Sequence, residues 1–374
     1  MKPFKNIIVV MIIIYTAIFL PGCHGKHPIE ELSIATGFGY DIEKGDEIKL
    51  VDPAEFLLIK KKDETGSVML AGEGASISLI VENRRSKQSK TFTFGTEIVF
   101  IISEERAEFG TKDIIEDLLR TPEVNINAAI AICKGKSEDL FSLKAETDTI
   151  SEQLFEMLKF SYEGNFYSKC NSINDFLVMY HQQGREVYLP YIEIINERPQ
   201  LTGTAVFKDD KMIRRIPMKE AKLINILRDS DGKGYLSIQS DEPLEYLDLE
   251  GENKVKVKVS NKGDKLKYDI LVTILADLRI DTLNDKEFTK EQLSKVEKLF
   301  EEKLQKDLNK VVKKVQEEYG VDCLDLGKYA IAKYGRDSGY DSQEHFSNAD
   351  IQVHVKVKIK STGKIHGSSV EDEL

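Results

Sequence analysis

The chain has 374 residues, with 53 lysines and arginines against 64 aspartates and glutamates, a net charge of −11. That balance argues against a nucleic-acid binder, which needs a basic footprint, and against electrostatic docking on anionic lipid. An apolar fraction of 41% beside 31% charged residues describes a folded body long enough for two or three cores.

Lys2 and Lys5 open the chain, and Ile7 to Leu20 follows as a run of 14 residues without a charge. Gly22 then stands directly before Cys23. A cationic start, an apolar stretch and a small residue at the cut make a secretory signal over residues 1–22. The stretch is shorter than the roughly 20 apolar residues that a spanning helix needs. Cysteine at the cut suggests a lipoprotein signal, with Cys23 lipidated and acyl chains holding the protein at a membrane. An ordinary cleaved signal and an uncleaved anchor helix are the alternatives, and Pro21 is unusual for such a site. Removal of the signal leaves 51 basic against 64 acidic residues.

Strands are expected over Leu32–Ile42 and Ile48–Ile59, then a helix over Gly72–Lys87. The run Ile98-Val99-Phe100-Ile101-Ile102 reads as a strand buried on both faces. A helix over Phe109–Arg120 and a small-residue strand over Ala128–Cys133 complete a mixed α/β layer. Residues 137–183 are mostly helical. Val187–Ile195 is a strand stopped at Arg198-Pro199, where the pattern changes and a domain boundary is placed. The first region is thus 23–199, with room for two subdomains.

The C-terminal α+β domain is set at 200–363. A hairpin turns at Lys208-Asp209-Asp210-Lys211, and a helix covers Lys219–Arg228. Strands follow at Tyr235–Ser240, at the alternating Val255, Val257 and Val259, and at Tyr268–Ile280. Thr289 to Gln292 fits a capping box. The stripe Leu293, Val296, Phe300, Leu304, Leu308, Val311, Val315, Tyr319 forms one long amphipathic helix ending at Gly320. Its spacing favours packing on its own domain over a dimeric coiled coil. A helix over Leu324–Tyr334 and an alternating strand from Ile351 to Ile359 close the domain, and residues 364–374 form a polar tail. The fold class is therefore α+β and multi-domain, with mixed sheets, packed helices, antiparallel C-terminal strands and one long helix.

No catalytic constellation emerges. The six histidines lack ligand spacing, and no nucleophile motif, phosphate cradle or cofactor motif is present. His354 falls on the polar face of a strand. His345 and Phe346 fall in a loop and are a candidate interface pair. Cys133, Cys170 and Cys323 read as buried thiols, although spacing leaves open whether one pair bridges.

The segment Gly203-Thr-Ala-Val-Phe-Lys-Asp-Asp-Lys-Met-Ile, followed by a helix carrying Glu220, resembles the signature hairpin of the Ger(x)C spore germination lipoproteins. The long helix ending Glu318-Tyr-Gly-Val-Asp-Cys-Leu-Asp-Leu-Gly-Lys-Tyr is similar to that family's helix-turn-helix. The closing strand Val353 to Gly363 and the start Gly22-Cys23 with Ile29-Glu-Glu-Leu also match in type. The family usually carries a tryptophan before the final strand, where this chain has His345-Phe346, and an aromatic after the lipidated cysteine, where it has His24. The resemblance implies a non-enzymatic C subunit of a spore germinant receptor, without cofactor. It would lie on the outer face of the spore inner membrane, beside A-type and B-type membrane subunits. Only Cys23 carries over as a functional position. A solute-binding lipoprotein is the alternative, and would need two similar α/β lobes around a cleft.

Overall fold

The computed structural model describes residues 32–59, 65–93, 95–167, 171–262, 265–283 and 289–362. The signal, Cys23, His24, Cys170 and the tail lie outside the described residues. Nine strands form the first sheet: β1 (Leu32–Lys44), β2 (Ile48–Ile59), β3 (Thr65–Gly74), β4 (Thr91–Thr93), β5 (Val99–Ser103), β6 (Ala129–Cys133), β7 (Tyr188–Ile195), β8 (Arg198–Lys208) and β9 (Lys211–Pro217). Their order is β3-β2-β1-β5-β6-β7-β8-β9, with β4 also pairing β1. The centre, β1-β5-β6-β7, is parallel, and an antiparallel meander flanks it on each side.

A parallel centre needs crossovers that bury both of its faces. The sequence supplies them, and every residue of β5 and β6 is buried. Val99 and Ile101 meet α4 (Ser137–Phe141) and α5 (Ile150–Lys159) through Leu140, Phe141, Ile150 and Leu154. On the opposite face, Phe100 and Ile102 share a core with Ile114, Ile115 and Leu118 of α3 (Lys112–Arg120) and Phe176 of α7 (Ile173–His181). Helices α1 (Ile77–Lys87), α2 (Glu104–Phe109) and α6 (Tyr162–Asn165) complete this part. The helix expected over Phe109–Arg120 is broken at Gly110, whose φ of 138° no other residue adopts easily.

Two glycines of β1 let α4 and α5 come close. A Cβ on Gly37 would stand 2.3 Å from Ser151 Oγ, and one on Gly39 2.1 Å from Ser137 Oγ. Two carboxylates beside them cap the approaching helices. Asp41 accepts from Ser137 N (2.8 Å) and Glu138 N (3.0 Å). Glu55 accepts from Ile150 N (3.0 Å) and Ser151 N (2.8 Å). Orphan N–H groups of a helix start and its positive dipole end favour such a placement.

Helix α8 (Met218–Arg228) carries the chain to the second sheet, ordered β10 (Lys233–Gln239), β11 (Tyr246–Lys262), β12 (Lys265–Asp281) and β13 (Asp350–Ser361). Between β12 and β13 run α9 (Lys290–Lys314), a π-turn (Val315–Tyr319), α10 (Gly327–Tyr334) and α11 (Gln343–Asn348). The Thr289–Gln292 capping box is formed, and Val296, Phe300, Leu304, Leu308, Val311, Val315 and Tyr319 are buried in the chain's own core. Gly320 ends the helix at φ 65°.

Several expectations change. Thr65–Gly74 is a strand, so the helix read from Gly72 starts at Ile77. Pro199 lies inside β8 and pairs with Ile194, across a two-residue turn in which Asn196 (φ 52°) and Glu197 (φ 61°) are left-handed. Position 199 is thus within the first sheet, which runs to Pro217. The final strand is parallel to β12, not antiparallel, because the long helix returns the chain to the end where β12 began.

Candidate functional site

The joint between the two sheets holds a buried ionic cluster. Asp325, fully buried and at φ 60°, receives a two-pronged guanidinium from Arg185 (3.0 and 2.9 Å), in the loop before β7. Lys328 Nζ donates to the same carboxylate at 2.6 Å. Arg228, at the end of α8, lies 3.9 Å from it, donates to Cys323 O at 3.1 Å and stacks over Tyr188 at 4.7 Å. Burial alone would raise the Asp325 carboxyl, but Arg228, Lys328 and Arg185 together hold it down at about 2. The backbones meet here too. A Cβ on Gly184, itself at φ 76°, would be 2.6 Å from Gly327 C.

A second tie joins α8 to the long helix. Glu220 accepts from Lys314 Nζ at 2.6 Å and from Tyr319 Oη, while Arg214 of β9 lies 4.8 Å over the Tyr319 ring. The hairpin and helix that carried the family resemblance therefore anchor the first sheet to the second.

Beside this joint opens a cleft of about 340 Å³, lined among others by Arg185, Glu186, Lys208, Tyr268, Asp322, Tyr340 and Phe346. Burial pushes the Glu186 and Asp322 carboxyls each up to about 7, and the charge of Asp322 adds to the shift of Glu186. One Asp322 oxygen accepts from Gly327 N at 2.7 Å, while Oδ1 has no hydrogen-bond partner among the described residues.

His345 and Phe346 lie in the short helix α11 and not in a loop. Phe346 is only 5% exposed, packs into the core and turns its remaining surface to the cleft. His345 is half-buried; its Nδ1 is 2.7 Å from Ser342 Oγ and its ring meets Tyr340 edge-on at 5.1 Å. His354 is exposed on β13. Cys133 and Cys323 are buried free thiols, which burial shifts upward. Arg185, Arg228 and Asp325 drew no attention in the sequence. Their signal is a buried charge in a short apolar stretch, as in Cys323-Leu-Asp-Leu.

Among the described residues no cluster of three potential ligands could hold a metal, and no helix is long and apolar enough to cross a membrane.

Two family models match the chain in succession: a spore germination protein N-terminal domain over residues 25–194, and a "spore germination B3/GerAC like, C-terminal" domain over residues 202–363. Spore germination protein GerQC of Bacillus cereus is 22% identical over 93% of this chain and 96% of its own length. Spore germination protein B3 of Bacillus subtilis (strain 168) is 20% identical over 95% and 97% respectively. The crystal structure of the GerBC protein shares the fold, with a TM-score of 0.57 and 17% identity, over 89% of this chain and 99% of that one. Matched in both its N-terminal and C-terminal regions, the chain belongs to the GerAC-like family of spore germination proteins.

Proposed function

We propose that this protein is the lipid-anchored C-type subunit of a spore germinant receptor, a non-enzymatic scaffold that works through assembly with A-type and B-type membrane subunits. The observation that carries the reading is the ordered match of both family domains along almost the whole chain. The signal that ends at Gly22-Cys23 supports lipid attachment on the outer face of the spore inner membrane. Confinement to the membrane raises the effective concentration near membrane partners, so modest direct contacts suffice. The body fits a scaffold because the buried ionic cluster of Arg185, Arg228, Asp325 and Lys328 ties the two sheets to each other. A solute-binding lipoprotein would want two alike lobes, whereas one sheet here has nine strands and the other four.

Replacing Cys23 tests the anchor. Cys23→Ala is expected to stay unlabelled by a fatty-acid analogue and to leave the membrane fraction or accumulate as precursor. Crosslinking in spore membranes tests the assembly, and recovery of the chain with no membrane subunit would overturn it.

A further inference from the structure

The net charge of −11 sets the chain as a whole against anionic surfaces, but the fold distributes that charge unevenly. The two alternating lysine-bearing strands, about 100 residues apart in sequence, flank β12 on the same sheet. Register puts Lys256 opposite Leu271 and Leu271 opposite His354; one step on, Lys254, Thr273 and Lys356 align. Lys258 and Lys358 extend the two columns. The even-numbered residues of β11 and β13 point away from the core, and all of these lysines are exposed. Alternate residues of a strand lie about 7 Å apart and next-but-one strands about 10 Å apart. The result is a patch in which cations outnumber acids, set around Leu271 and Thr273, with Asp269 opposite Lys258 and Glu252 in the row of Lys358 as its acidic members.

Lys254 is paired with Asp231 and Glu252. Lys256, Lys258, Lys356 and Lys358 make no ion pair among the described residues. Lysines commonly guard an edge strand against pairing with other chains. That role does not account for these. β11 is an interior strand, and the free N–H groups of β13 are already taken by side chains of α9.

We propose that this outward face of the second sheet, where lysines of β11 and β13 flank β12, docks on an anionic phospholipid surface. The inference rests on the membrane-anchored reading and adds an orientation to it: the helix-covered side of the sheet would face away from the bilayer. An aromatic anchor of the kind that dominates protein interfaces is absent from these rows. Diffuse attraction between a net-cationic patch and lipid phosphates fits these rows better, and lysines near such a surface each add to it.

The test uses the full chain with vesicles of phosphatidylcholine alone and of phosphatidylcholine with phosphatidylglycerol. Amine acylation, read by mass spectrometry, reports each lysine. Lys256, Lys258, Lys356 and Lys358 are expected to react several-fold more slowly on the anionic vesicles, with salt restoring the rate. Lys298 and Lys306, exposed on α9, are expected to react alike on both. A K256E/K356E/K358E variant is expected to lose the protection while melting as the parent does, each lost charge weakening lipid contact about five-fold. Equal rates on both vesicles overturn the proposal, as does protection that appears only with the receptor's membrane subunits, which would mark a protein interface. Association with anionic but not neutral vesicles sinks the lipid anchor and leaves the docking face standing; association with neither sinks both.

Discussion

Glu301 of the long helix accepts a hydrogen bond from Val357 N of the edge strand β13 at 3.0 Å. One helical turn to each side the same contact repeats, with Ile359 N donating to Glu297 (2.8 Å) and Val355 N to Gln305 (3.2 Å). Gln305 also donates to Val353 O at 2.8 Å. A helix places residues four apart about 6 Å from each other, close to the roughly 7 Å between alternate strand residues. The helix therefore closes the sheet edge almost as another strand would.

Removing that cover exposes a row of backbone donors to other chains. The combined variant Glu297→Ala, Glu301→Ala, Gln305→Ala is expected to lose about 1–2 kcal/mol per contact and to form oligomers, seen by light scattering. Glu302→Ala, at the exposed neighbouring position, should stay monodisperse. Monodisperse behaviour of the triple variant would show that the edge is protected by something else.

The helix stripe and the alternating strands were legible because each is a local pattern that one buried face enforces. β3 was not, since Gly66 to Gly74 is rich in small residues and carries no alternation. The strand expected before Arg198-Pro199 does end at Ile195, but the strand that starts at Arg198 was not legible, because proline is tolerated among a strand's first residues only in particular places. The parallel pairing of β13 leaves no local trace, and the clasp on Asp325 leaves only a charge among apolar neighbours, which does not name its partners. Arg185 and Asp325 are 140 residues apart, and their meeting depends on how the two sheets come together.

Asp325 is a place where one atom group holds two parts of the chain. Asp325→Ala would leave Arg228, almost wholly buried, with only the partly exposed Asp229 at 3.8 Å as counter-charge, an expected loss of about 3–5 kcal/mol. Against a total of about 5–15 kcal/mol for a typical domain, this would be read as a large drop in urea midpoint. Arg185→Ala should cost less, because Lys328 and Arg228 still face the carboxylate. Equal losses for the two variants would mean that Arg185 alone matters.

The close approach of β1 to α4 and α5 gives a third expectation. Gly39→Ala would set its Cβ 2.1 Å from Ser137 Oγ and 2.6 Å from Pro53 Cγ, so the helix must move. Overpacking of this kind costs about 1–3 kcal/mol. Glu55→Ala would strip acceptors from Ile150 N and Ser151 N in a buried place, at about 1–3 kcal/mol per orphaned group. Gly45→Ala, at an open turn with its nearest neighbour 3.9 Å away, is the control that should melt like the parent.

Acid–base behaviour gives the last prediction. Asp52, buried in β2, is pushed up to about 8 by burial, with Arg84 opposing the shift. Glu186 and Asp322 are pushed up to about 7. In the unfolded chain such carboxyls titrate near 4. Between roughly pH 4 and pH 8 the folded chain therefore holds protons that the unfolded chain has released, and stability falls as pH rises through that window. Asp325 works in the opposite sense, but its folded value of about 2 confines its effect to pH below about 4. The melting temperature is thus expected to be higher at about pH 5.5 than at about pH 8.5. Asp52→Asn keeps a neutral group in place and should raise stability at the alkaline end while flattening the profile. A profile that is flat for the parent, or an Asp52→Asn variant less stable than the parent at alkaline pH, would show that Asp52 is held ionised by Arg84.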